Sequence, residues 1–502
     1  FMTVSTVSFS KLVDELIRLG PAEIVLAADF PDKARIQAAA ESLGGVLSEV
    51  QHGPGSLAQA STLLLTHFQA DNLTVFGLKS TAEILAAGLA LHYVQDMHKG
   101  ILSHIRTIQS YKLEEFLQMD GHTIRNLELT KTIREGKKSG SLLGILDHTV
   151  TSMGARLLKS YLEKPLLDLE RIETRHDAVE ALLDNTALRL DLAARLDEVY
   201  DLERLLSKLV TGRGNARDLK ALGASLGKIP TVRELLADST TPLLAELAQG
   251  LNPLPEFVEL VELAIVDEPP ITLRDGNLIK EGYHEELDKL RKARTRGRDW
   301  IRDLEAQERE RTGIKSLKVG FNRVFGYYIE VTNANAHLVP GDYQRKQTLA
   351  NSERYITPEL KEQEALVLGA DERIKELEYE LFLELRKQVL DHVEAVQENA
   401  RILATLDVLQ SLATAAMQHN LVRPRMVSST TMDIRGGRHP VIEAAEGRFV
   451  ANDVCFNDKQ QVILLTGPNM AGKSTYLRQT ALIVIMAQMG SFIPADCGEV
   501  GV

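Results

Sequence analysis

The feature that most constrains this chain is the stretch LLTGPNMAGKSTYLR at residues 464–478. Gly467, four further residues and the triplet Gly472-Lys473-Ser474 match the phosphate-loop pattern GxxxxGK[ST] without a mismatch. The apolar run Gln461–Thr466 predicts a buried strand before the loop, and Thr475–Met489 predicts a helix after it. A strand, a glycine loop and a helix in this order are the context in which the motif binds a nucleotide. The stretch therefore predicts a nucleotide-binding site.

Each residue type in this loop suits one part of a nucleotide. Gly467 and Gly472 allow the backbone to wrap closely round a phosphate, with the positive end of the following helix at the same place. Lys473 is expected to reach the β- and γ-phosphates, and the hydroxyl of Ser474 to coordinate Mg²⁺. The alternative is a chance glycine-rich turn, which the strand and helix patterns on both sides disfavour. ATP and Mg²⁺ are the cofactors implied.

Composition narrows the class of protein. The 502 residues are 44% hydrophobic and 25% charged, which suits a globular chain of several domains. A net charge of −12 argues against a generally basic nucleic-acid-binding protein, so any DNA contact is expected to be local. Two cysteines without a disulfide framework fit a reducing, cytoplasmic compartment. The most apolar stretch, Ala481–Met489, is too short to span a membrane, and we expect neither a signal peptide nor a membrane partner.

Both ends of the sequence suggest a fragment. Phe1–Val4 resembles the middle of a strand, and only 28 residues follow Ser474. Those residues contain no apolar strand that ends in Asp-Glu, which a P-loop ATPase uses to position Mg²⁺ and the attacking water. We therefore expect the full-length protein to hydrolyse ATP and this fragment to be nearly inactive.

The order of helical and strand-like patterns predicts a multidomain α and α/β protein. Residues 1–105 alternate strands, at Ala22–Asp29 and Leu73–Lys79, with amphipathic helices, which predicts a small α/β connector. The helices are predicted at Phe9–Leu19, Asp32–Leu43 and Leu57–Phe68. Residues 106–283 are mostly helical, with leucine at helical spacing, which predicts a helical core with a lever. Residues 426–502 begin a second α/β domain, the N-terminal part of a P-loop ATPase domain.

A long helical arm with a β-rich tip is predicted between these regions. His284–Arg311 is a charged helix, and Leu360–Met417 carries one apolar stripe at helical spacing. The second helix could reach on the order of 80 Å if Gly369 does not interrupt it, and the first is expected to be its antiparallel mate. Gly313–Thr357 between them has β-like runs with Gly and Pro punctuation, which predicts the tip.

The tip differs in charge from the rest of the chain. The arm with its tip is assigned to residues 284–360, and the returning helix with part of the core to residues 361–425. The tip has a net charge of +3, with its basic residues at Lys315, Lys318, Arg323, Arg345, Lys346 and Arg354. Tyrosines are interleaved with Asn, Gln, Ser and Thr, a mixture that suits contacts to the phosphate backbone of DNA. A mildly basic, solvated hairpin explains the composition equally well.

Several longer stretches together resemble the MutS family of DNA mismatch-repair ATPases. The strongest are GRHPVIE, FVAND and LLTGPNMAGKSTYLRQTALIVIMAQMGSFIPA, because GPNMAGKST is much more specific than a general phosphate loop. The stretches LDHTVTSMGARLLKSYLEKPL, ERTGIKSLKVGFNRVFGYYIEV and QTLANSERYITPELKE also follow the family's order. The resemblance spans nearly the whole chain.

This resemblance implies both a fold and an activity. It implies a connector, a core with a lever, a clamp that closes round DNA, and a terminal ATPase domain of the ABC type. The implied function is DNA mismatch repair, in which ATP binding and hydrolysis are coupled to the state of the clamp. The implied partners are double-stranded DNA through backbone contacts, a second copy that pairs through the ATPase domain of the full-length protein, and a downstream repair protein.

The family's functional positions fall on three groups of residues here. The phosphate loop comprises Gly467, Pro468, Asn469, Met470, Ala471, Gly472, Lys473, Ser474 and Thr475. Of these, Lys473 and Ser474 are the implied catalytic positions, and Ser474 is the implied metal ligand. The residues expected beside the adenine are Phe449, Val450 and Asn452. The residues expected to contact DNA are Arg345, Lys346, Asn351 and Arg354.

Departures from the family pattern leave two alternatives open. The family's mismatch-reading domain with its Phe-x-Glu wedge is absent, and Phe257-Val258-Glu259 has that spelling only by chance on a leucine-rich helix. The acidic strand and the signature loop of the ATPase are absent too, and Ala350 stands where a basic residue is expected. An SMC-like ABC ATPase also has long helices, but this arm is too short for one. A non-catalytic DNA clamp or scaffold is the other alternative.

Overall fold

The computed structural model describes residues 2–5, 7–70, 72–98, 102, 105, 108–110, 115–322, 326–468 and 471–502. The chain forms two compact units, and both mix helices with small sheets. The first unit comprises Phe1–Arg213, Ala224–Pro255 and Val389–Val502, and the second unit comprises Gly214–Gly223 and Glu256–Gln388. Within the described ranges, no helix combines the length and the apolar character needed to cross a bilayer.

The N-terminal region of the first unit alternates short strands with helices. Its elements are β1 (Met2–Val4), α1 (Phe9–Leu19), β2 (Glu23–Ala27), α2 (Lys33–Leu43), β3 (Val46–Val50), α3 (Leu57–Phe68), α4 (Thr81–His98) and β4 (Ile108–Ser110). Strands β1 and β4 pair in parallel, as do β2 and β3. The strand predicted within Ala22–Asp29 is confirmed as β2, whereas sequence patterning does not predict β3.

The predicted strand at Leu73–Lys79 is wrong, because the structure forms a short 3₁₀ helix over Leu73–Phe76. The side chain of Asn72 accepts a hydrogen bond from the backbone N–H of Thr74 at 2.9 Å, which caps the start of this turn. Gly77 ends the turn with a left-handed backbone at φ 75°. Local capping therefore outweighs the strand propensity of the β-branched and aromatic residues.

The predicted helical region is confirmed as a run of helices. They are α5 (Gly121–Asn126), α6 (Leu142–Leu146), α7 (Ser152–Glu163), α8 (Leu169–Asp184), α9 (Thr186–Asp197), α10 (Leu202–Val210), α11 (Ala216–Leu226), α12 (Ile229–Leu235), α13 (Pro242–Gly250) and α14 (Pro255–Ala264). Leucines at helical spacing are buried, as in α10 at Leu202, Leu205, Leu206 and Leu209. Phe257 on α14 is 3% exposed and packs as a core residue.

The second unit contains two long helices that carry a four-stranded sheet. Its elements are α15 (Glu285–Thr312), β5 (Lys318–Asn322), β6 (Gly326–Thr332), β7 (Gln344–Thr348), β8 (Ser352–Ile356) and α16 (Pro358–Gln388). The sheet is antiparallel in the order β5-β6-β8-β7. Gly297 lies against Val367, and Arg291 binds Glu378, so positions that ascend along α15 meet positions that descend along α16. The predicted antiparallel helix pair is confirmed.

The continuous helix predicted over Leu360–Met417 is interrupted, although not at Gly369. Helix α16 ends at Gln388, a 3₁₀ helix covers Val389–His392, and α17 spans Val393–Gln418. Gly369 lies inside α16, where an added Cβ would meet no other part of the described structure within 4 Å. The two helices differ in burial: α16 buries one stripe of side chains, whereas α17 is buried on all sides through its middle. The tighter turn lies where one pattern of burial gives way to the other.

A buried carboxylate on α17 ties this helix to the start of α7. Asp407 is fully buried and accepts hydrogen bonds from the backbone N–H groups of Val150 (3.0 Å) and Thr151 (2.8 Å). It also accepts from the Thr151 hydroxyl at 2.6 Å and from the side-chain amide of Gln410 at 2.8 Å. Burial raises the pKa of the Asp407 carboxyl group. A Cβ on Gly154 would lie 2.1 Å from this carboxylate, so the close approach requires glycine.

The C-terminal region of the first unit is a small sheet with two helices. Its elements are β9 (Arg425–Val427), β10 (Met432–Gly437), α18 (Pro440–Glu446), β11 (Asn452–Phe456), α19 (Lys473–Met489) and β12 (Cys497–Gly501), with the strand order β11-β10-β12-β9. Helix α19 confirms the helix predicted after the glycine loop. The strand predicted at Gln461–Thr466 is wrong, since no described residue pairs with residues 461–468 in a ladder. Without such a partner, Val462 and Leu464 are 83% and 87% exposed.

Candidate nucleotide site and nucleic-acid interface

The glycine loop leads directly into the N-terminus of α19. Gly472 is the N-cap residue and has a left-handed backbone, at φ 83° and ψ 7°, which favours glycine. The first N–H groups of an α-helix have no intrahelical acceptor, and no side chain in the described part of the chain caps them here. The first turn, which begins at Lys473, contains no acidic residue to offset the helix dipole. This end of α19 therefore has the geometry and charge that suit a phosphate group.

Lys473 folds back over the loop that precedes it. Its ammonium group donates a hydrogen bond to the carbonyl of Pro468 at 2.8 Å and another to the carbonyl of Gly467. Ser474, the implied metal ligand, is exposed beside it, and Ala471 donates its N–H to the Pro468 carbonyl at 3.3 Å. These predicted phosphate-loop residues lie together, and Thr475 is half-buried on the first turn of α19. The predicted site residues Asn469 and Met470 lie outside the described residues.

The residues predicted to flank the adenine lie on the segment that leads into β11. Phe449 is half-buried with its ring 6.4 Å from the ring of His439, and Val450 is 83% exposed. The side-chain amide nitrogen of Asn452 donates to the Val450 carbonyl at 2.9 Å and to Oε1 of Gln479 on α19 at 3.2 Å. The structure therefore links the predicted base-binding residues to the helix that begins at the phosphate loop.

His439 joins this group without having been predicted. It is 6% exposed, and its Nδ1 accepts a hydrogen bond from the N–H of Ile442 at 3.4 Å, which caps α18. Burial, together with the positive charge of Arg478, lowers the pKa of His439 to about 4. The ring is therefore neutral at pH 7 and carries its proton on Nε2. The signal available in the sequence was its place within GRHPVIE.

Gln479 is the second residue that sequence reasoning missed. It is fully buried on α19, on the same helical face as Leu482, Ile483 and Met486, which are also buried. A polar residue within such an apolar stripe is the available signal, because a buried amide normally has a specific hydrogen-bonding partner. Its contact with Asn452 supplies that partner.

The C-terminal end of α19 is held by side chains and backbone of the helical core. Arg175 donates to the carbonyl of Met489 at 2.8 Å, and Nε2 of the buried His176 donates to the carbonyl of Ala487 at 3.1 Å. The backbone N–H of Leu166 donates to the carbonyl of Gln488 at 3.0 Å. Three consecutive carbonyls at this helix end are thus satisfied by one neighbouring segment, which fixes the axis of the phosphate-loop helix.

The predicted DNA-contacting residues lie on the β7–β8 edge of the sheet in the second unit. The Arg345 side chain is 62% exposed and forms an ion pair with Glu353 at 2.9 Å. Lys346 is exposed and stands where the β7–β8 register shifts between Arg345 and Gln347, which is the position of a β-bulge. Asn351 is exposed in the turn that follows. These three positions form one exposed edge.

Arg354 differs from its three neighbours because it is held within the sheet. Its side chain is only 17% exposed and donates to Glu330 and Gln347, each at 3.0 Å. Its guanidinium also stacks over the Tyr328 ring at 4.1 Å from the centroid. This arrangement suits a residue that stabilises the sheet more than one that meets a ligand. The basic residue Arg323, counted in the charge of the tip, lies outside the described residues.

The two units define a multidomain protein that mixes helices with small sheets, and comparison with known families agrees with this class. Residues 1–106 match the family described as MutS domain II, residues 122–413 match MutS domain III, and residues 463–502 match MutS domain V.

Curated relatives give the same family. A protein named DNA mismatch repair protein MutS from Halothermothrix orenii is 47% identical over 100% of this chain and 56% of its own length. Proteins of the same name from Symbiobacterium thermophilum and Pelotomaculum thermopropionicum are 47% and 46% identical over 98% and 97% of this chain, and 57% of each relative is covered. The chain belongs to the MutS family, and it spans a little over half the length of the curated relatives it matches.

Proposed function

We propose that this chain is the nucleotide-binding and DNA-clamping part of a DNA mismatch repair ATPase. The observation that carries the proposal is the glycine loop at the start of α19, where left-handed Gly472 leads into a helix that begins at Lys473. No side chain of the described residues caps this helix end, and its first turn has no acidic residue. The names of the relatives, DNA mismatch repair protein MutS, support mismatch repair as the process. ATP binding and hydrolysis are then coupled to the state of a clamp on double-stranded DNA.

The residues at the loop fit ATP with Mg²⁺. Lys473 lies within reach of the loop interior and exchanges the carbonyls of Gly467 and Pro468 for phosphate oxygens when a nucleotide binds. Ser474 offers its hydroxyl to Mg²⁺, which supplies neutralisation of the phosphate charge. The half-buried Phe449 offers an aromatic face for the base, and the ring of the buried, neutral His439 lies 6.4 Å from it. These roles divide the site into a phosphate end and a base end.

The DNA-contacting part of the proposal rests on the exposed edge of the second unit. Arg345 and Lys346 on β7 suit contacts to phosphates, with Asn351 as a neutral donor beside them. Such contacts hold a duplex without reading its sequence. Arg354 acts indirectly, by keeping β6, β7 and β8 together. The proposal also includes pairing of two ATPase domains, recruitment of a downstream repair protein and a place in the cytoplasm. These three parts rest on the family alone.

The decisive experiment removes the Lys473 ammonium group. In the full-length protein, Lys473→Ala is expected to weaken binding of a fluorescent ATP analogue by about tenfold or more, because a charge-assisted hydrogen bond to phosphate is lost. ATP turnover should fall with it. Lys459→Ala is the matched control, since Lys459 is an exposed lysine of the same unit and its side chain has no assigned role.

Two outcomes would contradict parts of the proposal. Turnover at the wild-type rate in Lys473→Ala would refute the assignment of the phosphate loop. Wild-type protein that binds the ATP analogue but never hydrolyses ATP would favour a non-catalytic clamp or scaffold, in which nucleotide only reports a state.

A further inference from the structure

The buried amide of Gln479 controls a residue at the base end of the site. Gln479 is 0% exposed on α19, and its Oε1 accepts a hydrogen bond from Nδ2 of Asn452 at 3.2 Å. The same Nδ2 donates its second hydrogen to the Val450 carbonyl at 2.9 Å. Both hydrogens of the Asn452 amide are therefore engaged by acceptors of the protein.

This arrangement permits only one orientation of the Asn452 amide. The Val450 carbonyl can only accept, so a rotated amide would bring two oxygens together. With Nδ2 held by two acceptors, Oδ1 is the atom of this half-buried side chain that can meet an incoming group. Asn452 thus presents an acceptor to a base: the Val450 carbonyl fixes which end of the amide carries the oxygen, and Gln479 fixes the plane of the amide by accepting the second hydrogen.

Stability alone does not explain a glutamine at this position. The Nε2 atom of Gln479 has no hydrogen-bond partner among the described residues, and it packs against Gly437, where an added Cβ would lie 2.7 Å away. A buried polar atom without a partner is unfavourable relative to an apolar side chain of similar size. The contact to Asn452 is the one interaction that an apolar residue could not replace.

We propose that Gln479 is a positioning residue that supports the base preference of the nucleotide site by fixing the amide plane of Asn452. An acceptor at Oδ1 suits a purine with an amino group at position 6, as in adenine, and opposes a purine with a carbonyl there, as in guanine or hypoxanthine. This inference rests on the proposed nucleotide-binding function and adds a residue that holds the side chain facing the base.

The test compares ATP with inosine triphosphate, which differs from ATP by an oxygen in place of the 6-amino group. Affinities of the full-length protein for both are measured by competition with a fluorescent nucleotide. Wild type is expected to prefer ATP by about tenfold, the value of one well-placed hydrogen bond. Gln479→Leu leaves the Asn452 amide with one contact, to the Val450 carbonyl, so the amide plane is no longer fixed and the preference should fall towards unity because the affinity for ATP falls.

Two further variants separate positioning from a merely structural role. Gln479→Glu keeps an acceptor towards Nδ2 of Asn452, so it should retain the preference for ATP. Asn452→Ala should abolish the preference, and adding Gln479→Leu to it should cause no further change in the ratio, because Gln479 acts only through Asn452. If Gln479→Leu does not fold, as judged by its melting temperature, Gln479→Met carries the same test.

The outcomes are distinguishable. An unchanged ATP preference in Gln479→Leu, a lost preference in Gln479→Glu, or additive effects in the double variant would each overturn the inference. Wild type that binds ATP and inosine triphosphate equally would also overturn it while leaving the proposed function intact. Wild type that binds neither nucleotide would instead refute the proposed function itself.

Discussion

The basic edge of the sheet in the second unit gives the sharpest quantitative prediction. Replacing Arg345 and Lys346 by Ala removes the two exposed cations of β7 without changing the buried side of the sheet. Arg345 forms an ion pair with Glu353 at 2.9 Å. To contact a phosphate, it has to leave this ion pair or to bind the carboxylate and the phosphate at the same time. Lys346 lies at the bulge, which turns a side chain away from the regular alternation of the strand.

The size of the effect follows from counterion release. Each contact to a phosphate of duplex DNA contributes about 0.9 to the slope of log affinity against log salt. Loss of both contacts lowers the slope by about 1.8, and loss of Lys346 alone, if Arg345 stays with Glu353, lowers it by about 0.9. Between about 50 and about 200 mM salt, the wild-type affinity should therefore fall about twelvefold more than that of the double variant when both contacts exist.

The assay is fluorescence anisotropy of labelled duplex DNA with the full-length protein, titrated at several salt concentrations. Two duplexes of unrelated sequence should give the same difference, because phosphate contacts carry no sequence information. The matched control is the double variant Lys289→Ala/Arg302→Ala, which removes two cations of the same unit whose side chains are 71% and 74% exposed on α15. The control should leave the slope unchanged, although the net charge falls equally.

Two results would refute this reasoning. An unchanged slope in the Arg345/Lys346 variant would show that this edge does not hold phosphates and is only a solvated hairpin. An equal fall in slope for the α15 control would show that net charge, and not this edge, governs the salt dependence. Nucleotide binding should be the same in both variants.

Two further predictions concern stability. Burial lowers the pKa of His176 to about 4, below the value of about 6.5 in an unfolded chain, so the unfolded state takes up the proton first as the pH falls. The contribution of His176 to the free energy of unfolding should be fully present above about pH 7, and about 2 kcal/mol of it should be lost by pH 5. A pH series of urea melts measures this loss. The same pH dependence in His176→Gln as in wild type would contradict the prediction. Asp407→Ala removes the acceptor of the hydrogen-bond donors of Val150, Thr151 and Gln410 and should destabilise the first unit by about 3–5 kcal/mol. Asp407→Asn should destabilise it less. An alanine variant within about 1 kcal/mol of wild type in the same melts would disprove the role of this network.

Local sequence patterns were sufficient for most helices. Helices Phe9–Leu19 and Leu57–Phe68 occur as predicted, because an apolar stripe of helical period coincides with a capping residue at an end. Ser56 accepts from the N–H of Gln59, and Gly20 closes the other helix in a left-handed conformation. Where a local cap opposed the strand pattern, as at Asn72, the cap decided the structure.

The sequence predicted the glycine loop and the residues Phe449, Val450 and Asn452 of the candidate site, but not the buried residues that contact them. GPNMAGKST determines a glycine loop and a following helix through residues that are adjacent in sequence, and Gly472 with Lys473 lies where the motif requires. The strand before the loop was not predictable in this way, because a strand exists only through the ladder of a neighbour. His439 and Gln479 join the base end through contacts with Phe449 and Asn452, which are distant in sequence.

The sequence by itself thus determined most helices, the glycine loop before α19 and the antiparallel helix pair with its sheet, because each is encoded by periodicity or by a short motif. The tertiary structure decided which polar residues are committed to neighbours. Arg345 and Arg354 have the same residue type and belong to the same predicted set, yet one is exposed at an edge and the other stacks over Tyr328 within the sheet. Strand order and register fix that difference, and they depend on pairing between segments that no local pattern specifies.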